Sequence, residues 1–353
     1  YQTALDMGYN PASPLTDLAR TFQYYQNGKP KIWAPKNYER DFKGFVPFRE
    51  ALVHSRNLAT INLVSDLGVS TIRNRLAFLD VPHIPRDMSI ALGNLGLSPL
   101  KMAQIFSVFA NEGHMIEPRL VSKIISKEGA VLYETRPKEI EGFTTPEQAY
   151  LMTDVLKDVV KRGTGRNARV DGIELAGKTG TTNNNIDAWF CGYSPTIETI
   201  VWFGRDDNTR IGRGATGGAL AAPAFSYYYK KLLELYPDTK RTFDIPEGVY
   251  RGQYEGRSEL YTAHSPLPDS YKRESYSDDG QDYERMLEEE TDISEGYGSE
   301  DGEIGLAPTI NIDEDPADAT ESDIQNEEEE DDPLHPKRKV PMRPVSNDSG
   351  TLF

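Results

Sequence analysis

Cysteine is nearly absent: Cys191 is the only one in 353 residues. A single thiol excludes an internal disulfide and leaves the redox compartment open. Histidine is scarce, with five scattered residues, so no metal-ligand spacing is present and neither a metal nor a cofactor is expected. No stretch approaches eighteen uninterrupted apolar residues, so no membrane-spanning helix lies in this sequence. An excess of basic charge is also missing. Against 56 Asp and Glu stand 39 Lys and Arg, a net of -17, which argues against a nucleic-acid partner because such a partner needs a basic face.

The chain does not open on methionine or on a secretion signal. Tyr1 to Tyr9 reads instead like the last turns of a helix, with Gly8 as its stop and Pro11 and Pro14 beyond it. A chain that opens inside a helix is expected to be a fragment, and its lack of a targeting segment is no evidence for the cytoplasm.

The acidity is concentrated. Residues 251–353 hold 29 acidic and 9 basic side chains, a net of -20, which leaves residues 1–250 with 27 acidic and 30 basic, a net of +3. The C-terminal part carries Glu288 to Glu290, the run Glu327 to Asp332 and only isolated apolar residues. It is expected to be a disordered acidic tail, since it buries too little surface to offset its ordering entropy. A basic cluster, Lys337 to Lys339 with Arg343, follows the acidic run. The tail reads either as a docking segment for a basic partner or as a solvated, entropic extension, and no tail partner is identified.

In residues 1–250, residues 10–47 look extended or looped. A helical period runs from Pro47 through Phe48, Leu52, Ile61, Val64 and Leu67 to Gly68, and a second helix runs from Ser70 to Phe78. Ser98-Pro99 and Thr145-Pro146 are helix starts: a capping hydroxyl followed by proline at the first helical position. Between them lies a hairpin, Leu120–Ile125 against Ala130–Tyr133. Strands are predicted over Ile173–Thr181, Ala188–Tyr193 and Thr199–Gly204, the last two antiparallel, and a final helix over Ala224–Leu235. The expected class is α/β (α+β): an antiparallel sheet flanked by helices, with a helical lobe.

Gly177-Lys178-Thr179-Gly180-Thr181-Thr182 is the sharpest chemical feature. It sets a cation, hydroxyls and close-approach glycines at the end of a strand, an arrangement that suits a carboxylate. The bland reading is a sheet-end turn with a solvated lysine. Gly172 to Thr179 also satisfies the literal phosphate-loop pattern, but a strand-like text precedes Gly177 and no apolar helix follows Thr179. Ser55-Arg56-Asn57, set among helical residues, reads either as a hydrogen-bonding shelf or as the polar face of a helix. His54 has no legible partner and reads as structural.

Ser55-x-Asn57 followed by Lys178-Thr179-Gly180 is the order used by penicillin-binding proteins and class A β-lactamases. Residues 1–250 resemble the transpeptidase domain of a class A, bifunctional penicillin-binding protein. Supporting text includes Ala91-Leu92-Gly93, Leu97 to Leu100, Phe109-Ala110-Asn111, Gly163-Thr164-Gly165, Ala176 to Thr182, Asp187-x-Trp189-Phe190-x-Gly192-Tyr193 and Thr216-Gly217-Gly218 with Ala222-Pro223. The resemblance implies a penicillin-binding, serine β-lactamase-like fold over 1–250. It also implies cross-linking of peptidoglycan stem peptides through a serine acyl-enzyme, with β-lactam antibiotics as ligands. By resemblance, Ser55 shuttles a proton near the leaving amine, Asn57 holds the substrate amide, and Lys178 serves the network around Ser55. Thr179 and Thr181, flanking Gly180, bind the terminal carboxylate, and the Thr181 N–H forms half of the oxyanion hole.

One element departs from the family pattern. Ser-x-x-Lys is absent ahead of Ser55, where the only serine is Ser13 and Thr16 stands three places on. The nucleophile is therefore expected upstream of Tyr1, preceded by a glycosyltransferase domain and a membrane helix. That arrangement would put the domain on the periplasmic side of a bacterial inner membrane, and the chain of 353 residues alone should not acylate. A penicillin-binding fold kept as a non-catalytic scaffold, and a monofunctional relative of the family, remain the alternatives.

Overall fold

The computed structural model describes residues 1–26, 29–140 and 142–269. The chain opens with α1 (Gln2–Asp6), which Gly8 stops at a φ of 94°. Next, β1 (Pro14–Asp17) pairs antiparallel with β4 (Gly44–Pro47), and between them lies the hairpin of β2 (Phe22–Gln26) and β3 (Lys29–Trp33). Where the helical period predicts one helix from Pro47 to Gly68, two form: α2 (Phe48–Val53) and α3 (Asn57–Leu67). The break falls at Ser55, whose φ is 54°. A run of apolar spacing cannot reveal that break, because a buried ion pair made by Arg56 imposes it from elsewhere in the chain. α4 (Val69–Phe78) follows as predicted.

The helix starts read from Ser98-Pro99 and Thr145-Pro146 are both present. The Ser98 hydroxyl accepts from the Lys101 N–H at the head of α5 (Pro99–Ala110), and the Thr145 hydroxyl accepts from the Gln148 N–H at the head of α6 (Pro146–Arg162). Between the two helices, β5 (Met115–Ile116) pairs with β8 (Glu139–Ile140), and β6 (Lys123–Ile125) pairs with β7 (Val131–Glu134).

The central sheet has three antiparallel strands in the order β11–β10–β9: β9 (Ala176–Thr181), β10 (Ala188–Tyr193) and β11 (Glu198–Phe203). β9 starts at Ala176, three residues later than its apolar text suggests. Strand alternation sends side chains to two faces. Phe190 and Val201 pack with Phe225 and Tyr229 of α7 (Ala222–Leu235) on one face. Ala176 and Tyr193 join residues of α2, α3 and α6 on the other. There the Tyr193 hydroxyl meets Thr153 of α6 at 2.8 Å. Each fully buried aromatic of this kind contributes about 1.5–3 kcal/mol. The sheet is thus clamped between α7 and α6, and β9 is left as an edge strand.

A tail beginning at residue 251 is a correction the structure makes. β12 (Tyr250–Tyr254) and β13 (Arg257–Tyr261) form a hairpin, and the described chain continues to residue 269. Composition misses this segment because polar groups hold it. Asn10 Nδ2 donates to the carbonyls of Leu260 and Ser265 at 3.0 and 2.9 Å, and Gln148 Nε2 donates to Ser265 Oγ at 2.8 Å. Arg49 of α2 pairs with Glu259 and with Asp154 and Asp158 of α6. The rest of the acidic segment, residues 270–353, lies outside the described residues. Asn10→Ala would remove the shared donor from the Leu260 and Ser265 carbonyls, the latter keeping only the Thr262 N–H, and is expected to cost about 1–3 kcal/mol in urea denaturation; an unchanged midpoint would show that the hairpin does not depend on this clasp.

Candidate active site

The site begins at the break between α2 and α3. Ser55 sits in the left-handed region, a conformation that costs a non-glycine residue on the order of 1–3 kcal/mol. Two contacts hold it there. The Arg56 N–H donates back to the Ala51 carbonyl at 2.9 Å, ending α2. The Arg56 guanidinium, 4 % exposed, then reaches the fully buried Asp17 at 2.9 and 2.5 Å and the Asp41 carboxylate at 2.6 Å. Asn37 completes the cluster. Its Nδ2 donates to Asp17 at 2.8 Å, and its Oδ1 accepts from the Leu58 N–H, one of the free donors at the head of α3. The middle residue of Ser-x-Asn is therefore the anchor of the turn, and its anchoring turns Ser55 toward the sheet.

On β9, Lys178 lies opposite Cys191 and shares the face of Ala176 and Tyr193, so it points toward α2. Its ammonium donates to Ser55 Oγ at 2.9 Å, to the Thr179 carbonyl at 3.1 Å and, at the limit of 3.5 Å, to Thr179 Oγ1. The side chain keeps some exposed surface, but its charged end is enclosed, and this burial pulls the ammonium from its ordinary 10.5 down to about 8. Cys191 next to it is buried, and that burial pushes its thiol up to about 12, so the only cysteine is a neutral packing residue rather than a nucleophile.

Two glycine-bearing segments close around β9. After α6, the Thr164 N–H donates to the Val53 carbonyl at the end of α2, at 3.2 Å, and the Thr164 hydroxyl meets Thr179 Oγ1 at 2.7 Å. Gly163 leaves no room for a side chain: a Cβ there would stand 2.4 Å from the Val53 carbonyl oxygen. From the other side comes the turn Gly217–Ala221, capped by Thr216. A Cβ on Gly217 would lie 2.2 Å from the Trp189 carbonyl oxygen and 2.5 Å from that of Gly180. The Gly217 N–H donates to Thr181 Oγ1 at 3.0 Å. Asp187 fixes the connection after β9, accepting from Trp202 Nε1 at 2.9 Å and from the Thr182 hydroxyl at 3.1 Å.

Of the residues predicted from sequence, the structure brings Ser55, Lys178 and Thr179 into one hydrogen-bonded group, with Gly180 and Thr181 continuing the same strand. Asn57 is led elsewhere at its amide nitrogen, which donates to the Lys36 carbonyl at 2.9 Å. His54 is half exposed, with Nε2 3.4 Å from Glu50. The phosphate-loop pattern has no helix after it, because β9 runs straight through Lys178 and Thr179 to Thr181. Sequence reading missed Arg56, Asp17 and Thr164 as parts of the site. A flanking Gly-Thr-Gly just past a helix end is the one local signal for Thr164. One literal Ser-x-x-Lys does occur among the described residues, Ser98 to Lys101, but it serves as a helix cap, with the lysine ammonium held by Asp80 and Gln104 at 3.2 and 2.8 Å.

This geometry defines a class: an edge strand bearing Lys-Thr-Gly set against a Ser-x-Asn turn on the helical side, as in penicillin-binding transpeptidases. Residues 83–230 match the model of the penicillin binding protein transpeptidase domain. The chain carries a transpeptidase domain of the class A penicillin-binding proteins. It is 33 % identical to penicillin-binding protein 1A of Pseudomonas aeruginosa, over 70 % of this chain and 36 % of that one. It is 35 % identical to penicillin-binding protein 1A of Aquifex aeolicus, over 70 % of this chain and 33 % of the relative. Among solved structures, penicillin-binding protein 1A of Haemophilus influenzae superposes with a TM-score of 0.69 at 26 % identity, covering 77 % of this chain and 47 % of that one. The chain spans about a third of the length of these curated relatives.

Two measurements test this account of the site. Arg56→Ala strips a buried carboxylate of its partner and is expected to destabilise the fold by about 3–5 kcal/mol in urea denaturation; a loss below about 1 kcal/mol, the range of an exposed pair, would remove the pair from its anchoring role. The second uses Lys178. Its folded value of about 8 lies below its ordinary 10.5, so between those values the unfolded chain binds more protons. This group therefore makes stability rise with pH from about 8 to 10.5, and Lys178→Met should lack that rise relative to the unaltered protein. Parallel pH dependence in the two proteins would contradict the burial of the ammonium.

Proposed function

We propose that this domain is the D,D-transpeptidase of a class A penicillin-binding protein, cross-linking peptidoglycan stem peptides through a serine acyl-enzyme and taking β-lactams as substrate mimics. The observation that carries the reading is the Lys178–Ser55 hydrogen bond of 2.9 Å, which joins the two family motifs across the gap between helical lobe and sheet.

The proposed roles follow from donors and acceptors. The Lys178 ammonium has three protons and no lone pair, and it directs them at Ser55 Oγ and at Thr179. Ser55 Oγ thereby accepts from a cation, which leaves its own proton to pass to the leaving amine, while an ammonium near 8 steadies the negative charge that builds nearby. Asn57 has Nδ2 engaged with Lys36, so it offers Oδ1 to the substrate amide N–H. Thr181 Oγ1 accepts from Gly217, so its hydroxyl proton is left to donate to a terminal carboxylate beside Thr179. The Thr181 N–H, on the edge strand, supplies one half of the oxyanion hole.

The nucleophilic serine is proposed to come from a Ser-x-x-Lys element outside residues 1–353, because the only literal Ser-x-x-Lys in the described residues is occupied as a helix cap. A glycosyltransferase domain, a membrane anchor and a periplasmic position for this domain belong to the same proposal. None of the helices among the described residues is long and apolar enough to cross a membrane.

Labelling with a fluorescent penicillin tests the reading. The full-length protein is expected to form a covalent band that Lys178→Ala reduces by roughly 100-fold or more in rate, as loss of an electrostatic donor at a reacting centre does. Residues 1–353 alone are expected to give none. A folded full-length protein that never labels would favour the non-catalytic scaffold instead.

A further inference from the structure

Thr164 belongs to neither motif, yet three separate contacts fix it. Its N–H is tied to the Val53 carbonyl at the end of the helix preceding Ser55, at 3.2 Å. Its hydroxyl is 2.7 Å from Thr179 Oγ1. Its carbonyl lies where a Cβ on Gly218 would stand only 2.7 Å away, so the crossing turn holds it from behind. Gly163 and Gly165 on either side are packed too tightly for side chains, with Cβ positions 2.4 Å from the Val53 carbonyl oxygen and 3.0 Å from the Phe190 ring. With its backbone held from the α2 end and from the crossing turn, Thr164 keeps its hydroxyl within hydrogen-bond reach of Thr179.

We propose that Thr164 is a positioning residue for carboxylate recognition: it donates to Thr179 Oγ1 and so commits the Thr179 proton to the substrate. This inference rests on the transpeptidase reading and deepens it. A hydroxyl oxygen has two lone pairs and one proton. Thr179 Oγ1 already faces the donor-only ammonium of Lys178 at 3.5 Å. A terminal carboxylate is acceptor-only when ionised, so Thr179 must donate to it. The Thr164–Thr179 bond can then run only from Thr164 to Thr179. With Thr164 donating at 2.7 Å and the Lys178 ammonium facing the same oxygen at 3.5 Å, the Thr179 proton is turned away from both donors, outward along the edge of the strand. Removing the Thr164 hydroxyl frees a lone pair on Thr179 and lets that proton wander, while Lys178 and Ser55 keep their own bond.

The test is β-lactam acylation of the full-length protein, resolved into a limiting rate and a half-saturating concentration of benzylpenicillin. Thr164→Val keeps shape and removes the hydroxyl. It is expected to raise the half-saturating concentration roughly tenfold, the worth of a weakened charge-assisted hydrogen bond, with the limiting rate within about twofold. Thr164→Ser, which restores the donor, should return the concentration to that of the unaltered protein. In a Thr179→Val background Thr164→Val should add no further change, since its effect passes through the Thr179 hydroxyl. A fall in limiting rate with no rise in half-saturating concentration, failure of serine to rescue, or a full additional loss in the Thr179→Val background would each overturn the proposal. Complete absence of acylation in the unaltered full-length protein would instead sink the transpeptidase reading on which it rests.

Discussion

The buried pair of Asp17 and Arg56 is the interaction on which the site depends. Two charges placed where water cannot reach them are costly unless each is matched, and here the matching is complete: Asp17 receives the guanidinium, the Asn37 amide and the Lys43 N–H. A pair so constrained admits one geometry. Because Arg56 must lie inward, the residue before it must adopt a backbone shape that a serine would not choose, and α2 cannot run on into α3. The polar cluster thus converts what would be one long helix into a corner, and the corner presents a hydroxyl to the sheet.

Against that corner the sheet edge is held by contact on both sides. Thr164 and its glycines approach β9 from the end of α6, and Gly217 and Gly218 cross it from the start of α7. Both approaches are limited by backbone atoms, so their spacing is set by repulsion as much as by hydrogen bonds. Since α6 and α7 also clamp the two faces of the sheet, the elements that build the core are the same ones that position the hydroxyls. Substrate-facing chemistry and core packing are therefore coupled through a few residues without side chains.

Much of this was legible in the text of the chain, and the parts that were not share a cause. Helix starts at Ser98-Pro99 and Thr145-Pro146 are local events, in which a capping hydroxyl acts on an N–H three residues away. The Lys178–Thr179–Gly180 strand is likewise marked by its own glycines and hydroxyls. The break at Ser55 is different: apolar spacing continues through it, and the force that breaks the helix comes from Asp17, 39 residues before its partner Arg56. The hairpin after Tyr250 was hidden for the same reason. Its clasp on Asn10 joins residues 250 apart, and the charge count of the whole C-terminal segment masked a short stretch that packs through polar groups. Thr164 stood in plain view between two glycines, but its meaning depended on a partner fifteen residues on, across the sheet edge.

Enclosure of the Asp17–Arg56 pair also decides how the domain meets changes in its medium. Dissolved ions weaken attractions between charges that face water over about 8–10 Å, as for Lys231 and Glu234, which are 50 and 61 % exposed. They do not enter the space between Asp17 and Arg56, which are 0 and 4 % exposed. Ionic strength is therefore expected to weaken the exposed pairs of this surface far more than the Asp17–Arg56 bond that sets the corner at Ser55.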